Sequence, residues 1–269
     1  MFSFIYSVYH AIIYKPLYNG LIGLIDVLPF LDAGVAVIIF TILVKLVLSP
    51  LSKKAIVYQI KMKKLQPQLT ELQEKYKHDK QIQAVKVMEF YRKEGVSPFA
   101  TLLPVIIQLP IIIALYGVFT RSGLPLVNAD LLYSFVSNPQ INVIFLGIFD
   151  VTEKSIVIAL LAAISQFLYF RATMPTPPKK EKKFGDVPNF QEDLSRSMAV
   201  QMKYIFPIVI FFMAYKFSAV VALYWTVNNL FTLAQDYWVK KKYAAQDISS
   251  IDKGSSPKIT TVSGQPSKA

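Results

Sequence analysis

A single lysine, Lys45, lies inside a mostly apolar stretch of twenty residues, 33–52, that carries no other charge. About twenty apolar residues are what an α-helix needs to cross the roughly 30 Å hydrocarbon core of a bilayer. A charge within such a helix is unfavourable by roughly 2.5–3.5 kcal/mol on insertion scales, so it normally faces a partner or a water-filled cavity. Thr41 precedes Lys45 by one turn, and Ser49 and Ser52 follow it on roughly the same helical face. The sequence therefore predicts a membrane-spanning helix with a polar stripe.

Two interpretations of Lys45 are open from this helix alone. Its long stem can carry the ammonium to the nearer lipid headgroups, or the ammonium can lie in water inside the protein. Asp and Glu are absent from all the apolar stretches, which are 33–52, 99–119, 155–171 and 204–234. Because Lys45 has no carboxylate partner in these stretches, hydration is the favoured interpretation.

The composition is that of a polytopic membrane protein, with 54% hydrophobic residues and a mean hydropathy of +0.41. The net charge of +12 is distributed unevenly along the chain. Residues 53–98 hold eleven Lys or Arg and residues 171–203 hold seven, whereas residues 118–154 hold two. Basic residues concentrate on the cytoplasmic side of membrane proteins, so we predict the N-terminus outside and the C-terminus in the cytoplasm.

Two segments outside the predicted spans are also predicted to be helical. Residues 2–30 are rich in Tyr, Phe and Ile but are interrupted around Pro16 and Gly20, so neither half is long enough to span. We predict an interfacial helix on the outer surface. Within 53–98, apolar residues recur every three to five positions on both sides of Asp79. This pattern predicts two amphipathic helices whose apolar stripes cover one another.

The fold class that follows is all-α: a bundle of five transmembrane helices with an outer interfacial helix and a cytoplasmic αα-hairpin. One helix over 204–234 would be about 46 Å long, so we divide this block at a tight turn near 216–219. The predicted segments are the interfacial helix 1–32, the first span 33–52, the hairpin 53–98, the second span 99–119, an external loop 120–154, the third span 155–171, a cytoplasmic linker 172–200, the fourth span 201–217, the fifth span 219–238 and a basic, disordered tail 239–269.

The residues offer no catalytic or metal-binding pattern. The chain has no cysteine, both histidines lie outside the predicted spans, and neither a GxxxxGK[ST] nor a GxSxG motif occurs. A Ser–Lys dyad of Lys45 with Ser49 or Ser52 would require a neutral lysine, and nothing indicates an oxyanion hole. We therefore expect no enzymatic activity, no cofactor and no metal ion.

Uncharged polar residues in the predicted spans are the remaining candidates. Hydrogen bonds between helices explain some of them, Asn229 and Gln235 especially. With Lys45, the set of polar residues in the spans comprises Thr41, Gln108, Gln166, Asn228, Asn229 and Gln235.

Three motifs carry a resemblance to a known family: KMKKLQPQL…EKYKHDKQ in the hairpin, YRKEGVSPF…LLPVIIQLPIIIALY into the second span, and ALYWTVNNLFTLAQ in the last. In this order and spacing they resemble the YidC family of membrane protein insertases, which includes the mitochondrial and thylakoid Oxa-type proteins. The resemblance extends over roughly residues 15–240. It is to the short, five-span form of Gram-positive bacteria, and it implies a multi-pass protein of the bacterial plasma membrane.

The resemblance implies a hydrophilic groove between the helices, open to the cytoplasm and to lipid but closed outside. Thr41 and Lys45 match the family's threonine and positive residue in the first span, although the usual charge is an arginine. Lysine lacks the planar fork that binds a carboxylate with two hydrogen bonds. Gln166 and Trp225 match other positions that line the groove or face the substrate, and Gln108 and Asn228 complete the predicted groove.

The expected function is insertion of nascent apolar segments into the bilayer. The implied partners are nascent membrane proteins, lipid, the ribosome through the hairpin and basic tail, and a Sec-type translocon. An ion or solute transporter that uses Lys45 as an anion site is the alternative, although the absence of an internal repeat counts against it. A purely structural assembly factor, which needs no charge in a groove, is the third interpretation.

Overall fold

The structure is a computed structural model that describes residues 2–97, 103–119, 126–173, 197 and 200–252. This part of the chain is mostly helical, and a two-stranded antiparallel ribbon is its one departure from the all-α prediction. The helices are α1 Phe2–Tyr9, α2 Lys15–Val27, α3 Ala33–Lys75, α4 Lys80–Lys93, α5 Leu103–Gly117, α6 Ile156–Thr173, α7 Phe206–Lys216 and α8 Ala219–Asp252; π-helical turns span His10–Tyr14 and Gln201–Ile205, a 3₁₀ turn spans Ala129–Leu131, and strands β1 and β2 are Ile144–Phe145 and Phe149–Asp150.

Two of the described helices, α3 and α6, are long and apolar enough to cross a membrane. A shorter apolar segment, Gln108–Gly117, belongs to α5. The helical structure is interrupted between α7, which ends at Lys216, and α8, which begins at Ala219. This is the turn expected near 216–219. The five-span arrangement as a whole stays a prediction, and most of the predicted linker 172–200 lies outside the described residues.

The N-terminal segment forms a nearly unbroken helix through both of the expected interruptions. The π-helical turn ends at Tyr14, two residues before Pro16, and the Lys15 N–H donates to the His10 carbonyl five residues back. This wider turn accommodates a proline, which clashes with the carbonyl four residues before it in a regular helix. Tyr18 and Ile22 are then fully buried, so α2 is part of the protein core.

The loop predicted to be external, called the external loop from here on, is tied to α2 by hydrogen bonds. The Tyr18 hydroxyl accepts from the Asn128 backbone N–H at 2.7 Å. Asn19 donates to the Leu131 carbonyl at 2.8 Å and accepts from the Tyr133 N–H at 2.6 Å. Burial raises the pKa of the Tyr18 phenol above its ordinary value. Because these contacts satisfy buried polar groups on both sides, the loop and the N-terminal helix form one packed unit.

The same loop also satisfies the free N–H groups at the starts of α3 and α8. At α3, the Asn142 carbonyl of the loop accepts from the Ala33 N–H at 2.7 Å. Asp32, directly before the helix, caps it by accepting from the Val35 N–H at 2.8 Å. At α8, the Ala219 N–H donates to the Glu153 carbonyl at 2.7 Å. Helix starts leave such donors unpaired unless another segment accepts them. The loop therefore holds the two helices together at one end of the bundle.

Gly34 permits this close contact between α3 and the loop, because a Cβ there would overlap the ring of Phe145 in β1. We expect Gly34→Ala to lower the free energy of unfolding by about 1–3 kcal/mol, as overpacked sites do. Gly23→Ala in α2 is the matched control, since its Cβ would meet Val136 at an ordinary 3.7 Å. Thermal unfolding in detergent checks both variants, and equal stabilities would contradict this packing.

The first span and the first arm of the hairpin are one continuous helix. The sequence predicts a boundary between the span and the hairpin at Ser52. In the structure, α3 has no such boundary: it continues through Pro50 and Pro67 and is 43 residues long. Asp79 caps α4 by accepting from the N–H groups of Gln81 and Ile82, each at 3.0 Å.

The expectation that the two hairpin stripes cover one another is wrong for α4, which has no buried residue. Ile82, Val85 and Met88 are 46%, 56% and 57% exposed, respectively. The hairpin therefore presents an apolar stripe on its surface.

The last helix also passes its predicted end, because α8 continues beyond Trp238 to Asp252. The segment after Trp238 contains Lys, Ala and Gln, which are good helix formers and extend a helix that has already nucleated. The rest of the predicted tail, 253–269, lies outside the described residues.

Candidate functional site

Polar residues on α8 fall on two helical faces, each at four-residue spacing. Tyr224, Asn228 and Thr232 lie along one face, and Trp225 and Asn229 lie along the next. Their hydrogen bonds reach α3 and α5 from the first face and α6 from the second. The helix thus places these polar residues in two groups.

The first group, the Lys45 cluster, consists of Lys45, Gln108, Tyr224, Asn228 and Thr232. The Lys45 ammonium donates to Gln108 Oε1 and to Thr232 Oγ1, both at 3.1 Å. Gln108 Nε2 donates to the Tyr224 hydroxyl at 2.8 Å, and the Thr232 hydroxyl donates to the Asn228 carbonyl at 2.6 Å. Three helices, α3, α5 and α8, therefore meet at one cation.

Lys45 points into the bundle and not to its surface, since only 9% of the residue is exposed. Its two partners are neutral oxygens, which orient the ammonium without cancelling its charge. The geometry therefore does not support the interpretation in which the stem carries the ammonium out to the headgroups. A positive charge held in this way can attract an acidic group that approaches through the bundle.

Asn228 carries the other unusual feature of the cluster. Its side-chain Oδ1 is buried and has no hydrogen-bond partner among the residues that the structure describes. Leaving such an acceptor unsatisfied costs roughly 1–3 kcal/mol, and buried amides normally find a donor. The cluster thus offers both a cation and a free acceptor to a polar ligand.

Thr41 lies outside the hydrogen bonds of the Lys45 cluster. It is only 1% exposed, and its hydroxyl donates to the Val37 carbonyl at 2.6 Å within its own helix. The sequence correctly places Thr41 one turn from Lys45, but the structure pairs its hydroxyl with the backbone. Its role in a groove stays a prediction.

The second group joins Gln166 and Trp225, as a contact between α6 and α8. Trp225 Nε1 donates to Gln166 Oε1 at 2.8 Å, and Asn229 Nδ2 donates to the same oxygen at 3.0 Å. Asn229 also donates to Ser165 Oγ at 3.1 Å. The hydrogen bonds between helices predicted for Asn229 are confirmed. Gln166 and Trp225 are brought together, but they belong to a different polar group from Lys45.

Gln235 confirms the other predicted contact between helices, because its Nε2 donates to Ser49 Oγ on α3 at 2.9 Å. One turn beyond the Lys45 cluster, α8 carries Asp236, an acid that lies inside the predicted fifth span. Asp236 is 5% exposed and forms an ion pair with Lys240 on the next turn. Lys45 thus keeps neutral partners even though the fifth span includes a carboxylate.

Three residues of the two groups are absent from the sequence-based candidates: Tyr224, Thr232 and Ser165. Their signal is spacing, because Tyr224 and Thr232 flank Asn228 at four residues on either side and Ser165 precedes Gln166. Hydroxyl residues occur often in membrane helices, so residue type alone does not single them out.

Between the Lys45 cluster and the external loop, the bundle is packed with apolar side chains. Val37 from α3, Leu115 from α5, Val118 directly after α5 and Val220 from α8 are almost fully buried in one core with residues of α2. Polar residues of α3 and α8 lie beyond this layer. This layer of buried apolar side chains, called the apolar seal, and the external loop therefore cover one end of the Lys45 cluster.

No group of three or more His, Cys, Asp or Glu that could hold a metal ion occurs within the described ranges. The Lys45 cluster itself supplies an ammonium and neutral hydrogen-bonding groups, so it can form hydrogen bonds and attract an anionic group.

Sequence comparison identifies the family. The family described as "60Kd inner membrane protein" matches residues 27–246. A protein of Fusobacterium nucleatum subsp. nucleatum named "Membrane protein insertase YidC" is 32% identical over 211 residues, which make up 78% of this chain and 87% of that protein.

Proteins of the same name from Francisella philomiragia subsp. philomiragia and Francisella tularensis subsp. novicida are 32% identical over 214 residues, 79% of this chain. The match spans only 33% of each Francisella protein. With most of its length matched by one family, this chain belongs to the YidC/Oxa family of membrane proteins.

Proposed function

We propose that this chain is a membrane protein insertase that moves the short polar flank of a nascent apolar segment across the bilayer through a hydrophilic groove. The observation that carries the proposal is the Lys45 cluster: a buried cation on neutral partners, beneath an apolar seal. The names of the relatives support the same role.

The groove shortens the apolar path that a polar flank must cross. Lys45 attracts acidic groups of the flank, and the free oxygen of Asn228 accepts hydrogen bonds from its backbone. Water enters from the side opposite the external loop, because the apolar seal and the loop close the other end. The apolar segment of the substrate then leaves sideways into lipid, which stabilises it by about 25 cal/mol per Å² of apolar surface removed from water.

The charge distribution supports an orientation in the plasma membrane with the external loop outside and the hairpin in the cytoplasm. The exposed stripe of Ile82, Val85 and Met88 lies on the basic hairpin, next to charged groups such as Lys86 and Arg92. Such a surface suits an emerging apolar segment or the ribosome that delivers it. A Sec-type translocon is the further partner in this proposal.

Purified protein in liposomes tests the proposal against its two alternatives. Insertion of a single-span test protein, scored by protease protection of its flank, is the result expected for an insertase. Solute or ion flux without insertion would identify a transporter that uses Lys45 as an anion site. Neither activity, from protein that is monodisperse and correctly oriented, would leave only a structural assembly role.

A further inference from the structure

An apolar groove separates α6 from α7 on the outer surface of the bundle, away from the Lys45 cluster. It has a volume of about 390 Å³ and is lined mainly by aliphatic and aromatic side chains. Leu160, Ile164, Ile208 and Phe212 are 52%, 47%, 57% and 60% exposed, respectively, so the groove opens sideways from the protein. In a membrane, this opening faces the lipid.

One end of the groove is basic. Phe167 on α6 lies beside Tyr204, with ring centroids 6.1 Å apart. Arg171 follows Phe167 by four residues, so it continues the groove-lining face of α6. From the other wall, the Lys203 ammonium lies 5.5 Å from the centre of the Tyr204 ring. Two cations therefore flank the same end of an apolar groove.

The nearby acid does not cancel this charge. Asp236 on α8 forms an ion pair with Lys240, whose ammonium also contacts the Ala172 carbonyl at the end of α6. Among the residues that the structure describes, Arg171 and Lys203 are thus a local excess of positive charge. A partner with a phosphate at one end and a hydrocarbon chain behind it complements both parts of the groove.

The groove together with the basic residues at its end matches the depth of one leaflet of a bilayer. From Leu160 to Arg171, eleven residues of helix rise about 16 Å, and half of a hydrocarbon core is about 15 Å. A helix of that length and about 10 Å across occupies about 1,200 Å³, several times the volume of the groove. A hydrocarbon chain therefore enters the groove, whereas an α-helix can only lie across its mouth.

We propose that this groove binds one anionic phospholipid from the leaflet on the hairpin side, with an acyl chain between α6 and α7 and its phosphate between Arg171 and Lys203. The site is independent of the proposed insertase function, because it lies on the lipid-facing surface and uses neither polar group of α8. Bound lipid there would fix the position of α7 against α6.

Photolabelling of the full-length protein tests this site. The probe is phosphatidylglycerol with a photoreactive diazirine on one acyl chain, incorporated into vesicles of phosphatidylcholine; a phosphatidylcholine with the same diazirine is the neutral comparison. Mass spectrometry then locates the labelled residues. The variants are Arg171→Gln/Lys203→Gln, the charge-retaining pair Arg171→Lys/Lys203→Arg, and Lys154→Gln/Lys216→Gln as a control that removes two charges at the other end.

We expect the anionic probe to label the groove residues in preference to the exposed Val47 of α3, and the neutral probe to show no such preference. Removing both charges should reduce the preference for the anionic probe about 30-fold, while the charge-retaining and control pairs keep it. Equal labelling by both probes, or unchanged labelling of the Gln pair, would overturn the site. So would displacement of the label by a single-span substrate or by a second copy of the chain.

Discussion

Replacing Lys45 by alanine is expected to lower the insertion rate of substrates with acidic flanks roughly 10- to 100-fold. Two unit charges about 4 Å apart attract by about 1 kcal/mol in water and about 4 kcal/mol near a protein surface, and a hydrated groove lies between these limits. Each 1.4 kcal/mol is a factor of about ten in rate. The insertion rate of a single-span substrate into liposomes is the measurement.

The matched variant is Lys45→Arg, which keeps a charge at this position and should retain insertion activity. A substrate with a neutral flank should be affected far less by Lys45→Ala than an acidic one. The alanine variant should unfold at no lower temperature, because it removes a costly charge from the membrane. Gln108 still donates its hydrogen bond to the Tyr224 hydroxyl, and Thr232 still donates to the Asn228 carbonyl. Full activity of Lys45→Ala on an acidic substrate would show that the cation takes no part in insertion.

Excision of the hairpin, Gln59–Lys93, with a short Gly/Ser linker in its place, is the second change with a large expected effect. Insertion should fall severely while the bundle stays folded, because α4 has no buried residue and the Lys45 cluster lies well before the excised segment. Insertion into liposomes, together with size-exclusion chromatography in detergent, gives both readouts.

A milder variant separates loss of the exposed stripe from loss of length. Val85→Ser/Met88→Ser removes apolar surface that is more than half exposed, so the hairpin should keep its fold. We expect a partial loss of insertion. If the excised protein is monodisperse and inserts substrates at the full rate, the hairpin has no role in receiving them.

The sequence was sufficient for the helices that contain long apolar runs. The apolar stretch around Lys45 and the third apolar block correspond to α3 and α6, and the excessive length of 204–234 correctly required a break before Ala219. These predictions succeed because bilayer thickness and helix rise fix how many residues one span can hold.

Helix continuity was harder to predict. A proline near the start of a helix or behind a π-helical turn is tolerated, so Pro16 did not break the N-terminal helix. Similarly, α3 continued through Pro50 because a change from apolar to polar composition does not itself end a helix. Exposure of the α4 stripe depends on the angle between α4 and α3. The hydrophobic periodicity of the sequence gives no information on that angle.

For the candidate site, residue type identified Lys45, Gln108 and Asn228, but not how the helices pair them. The division into two polar groups arises from the rotation of α8 between α3 and α6, and it separates Gln166 and Trp225 from Lys45. Tyr224 became part of the cluster only through the position of Gln108 on α5. Such contacts join residues distant in sequence, so no local pattern encodes them.

The most direct test of the groove is a disulfide crosslink to a substrate arrested during insertion. The chain has no native cysteine, so single cysteines report one position each. Thr232→Cys places a thiol of similar size beside Lys45, and Val47→Cys places one on the face of α3 that is 79% exposed. A cysteine in the polar flank of the substrate should crosslink to position 232 and not to position 47. Crosslinking of the flank to position 47 alone would contradict passage through the Lys45 cluster.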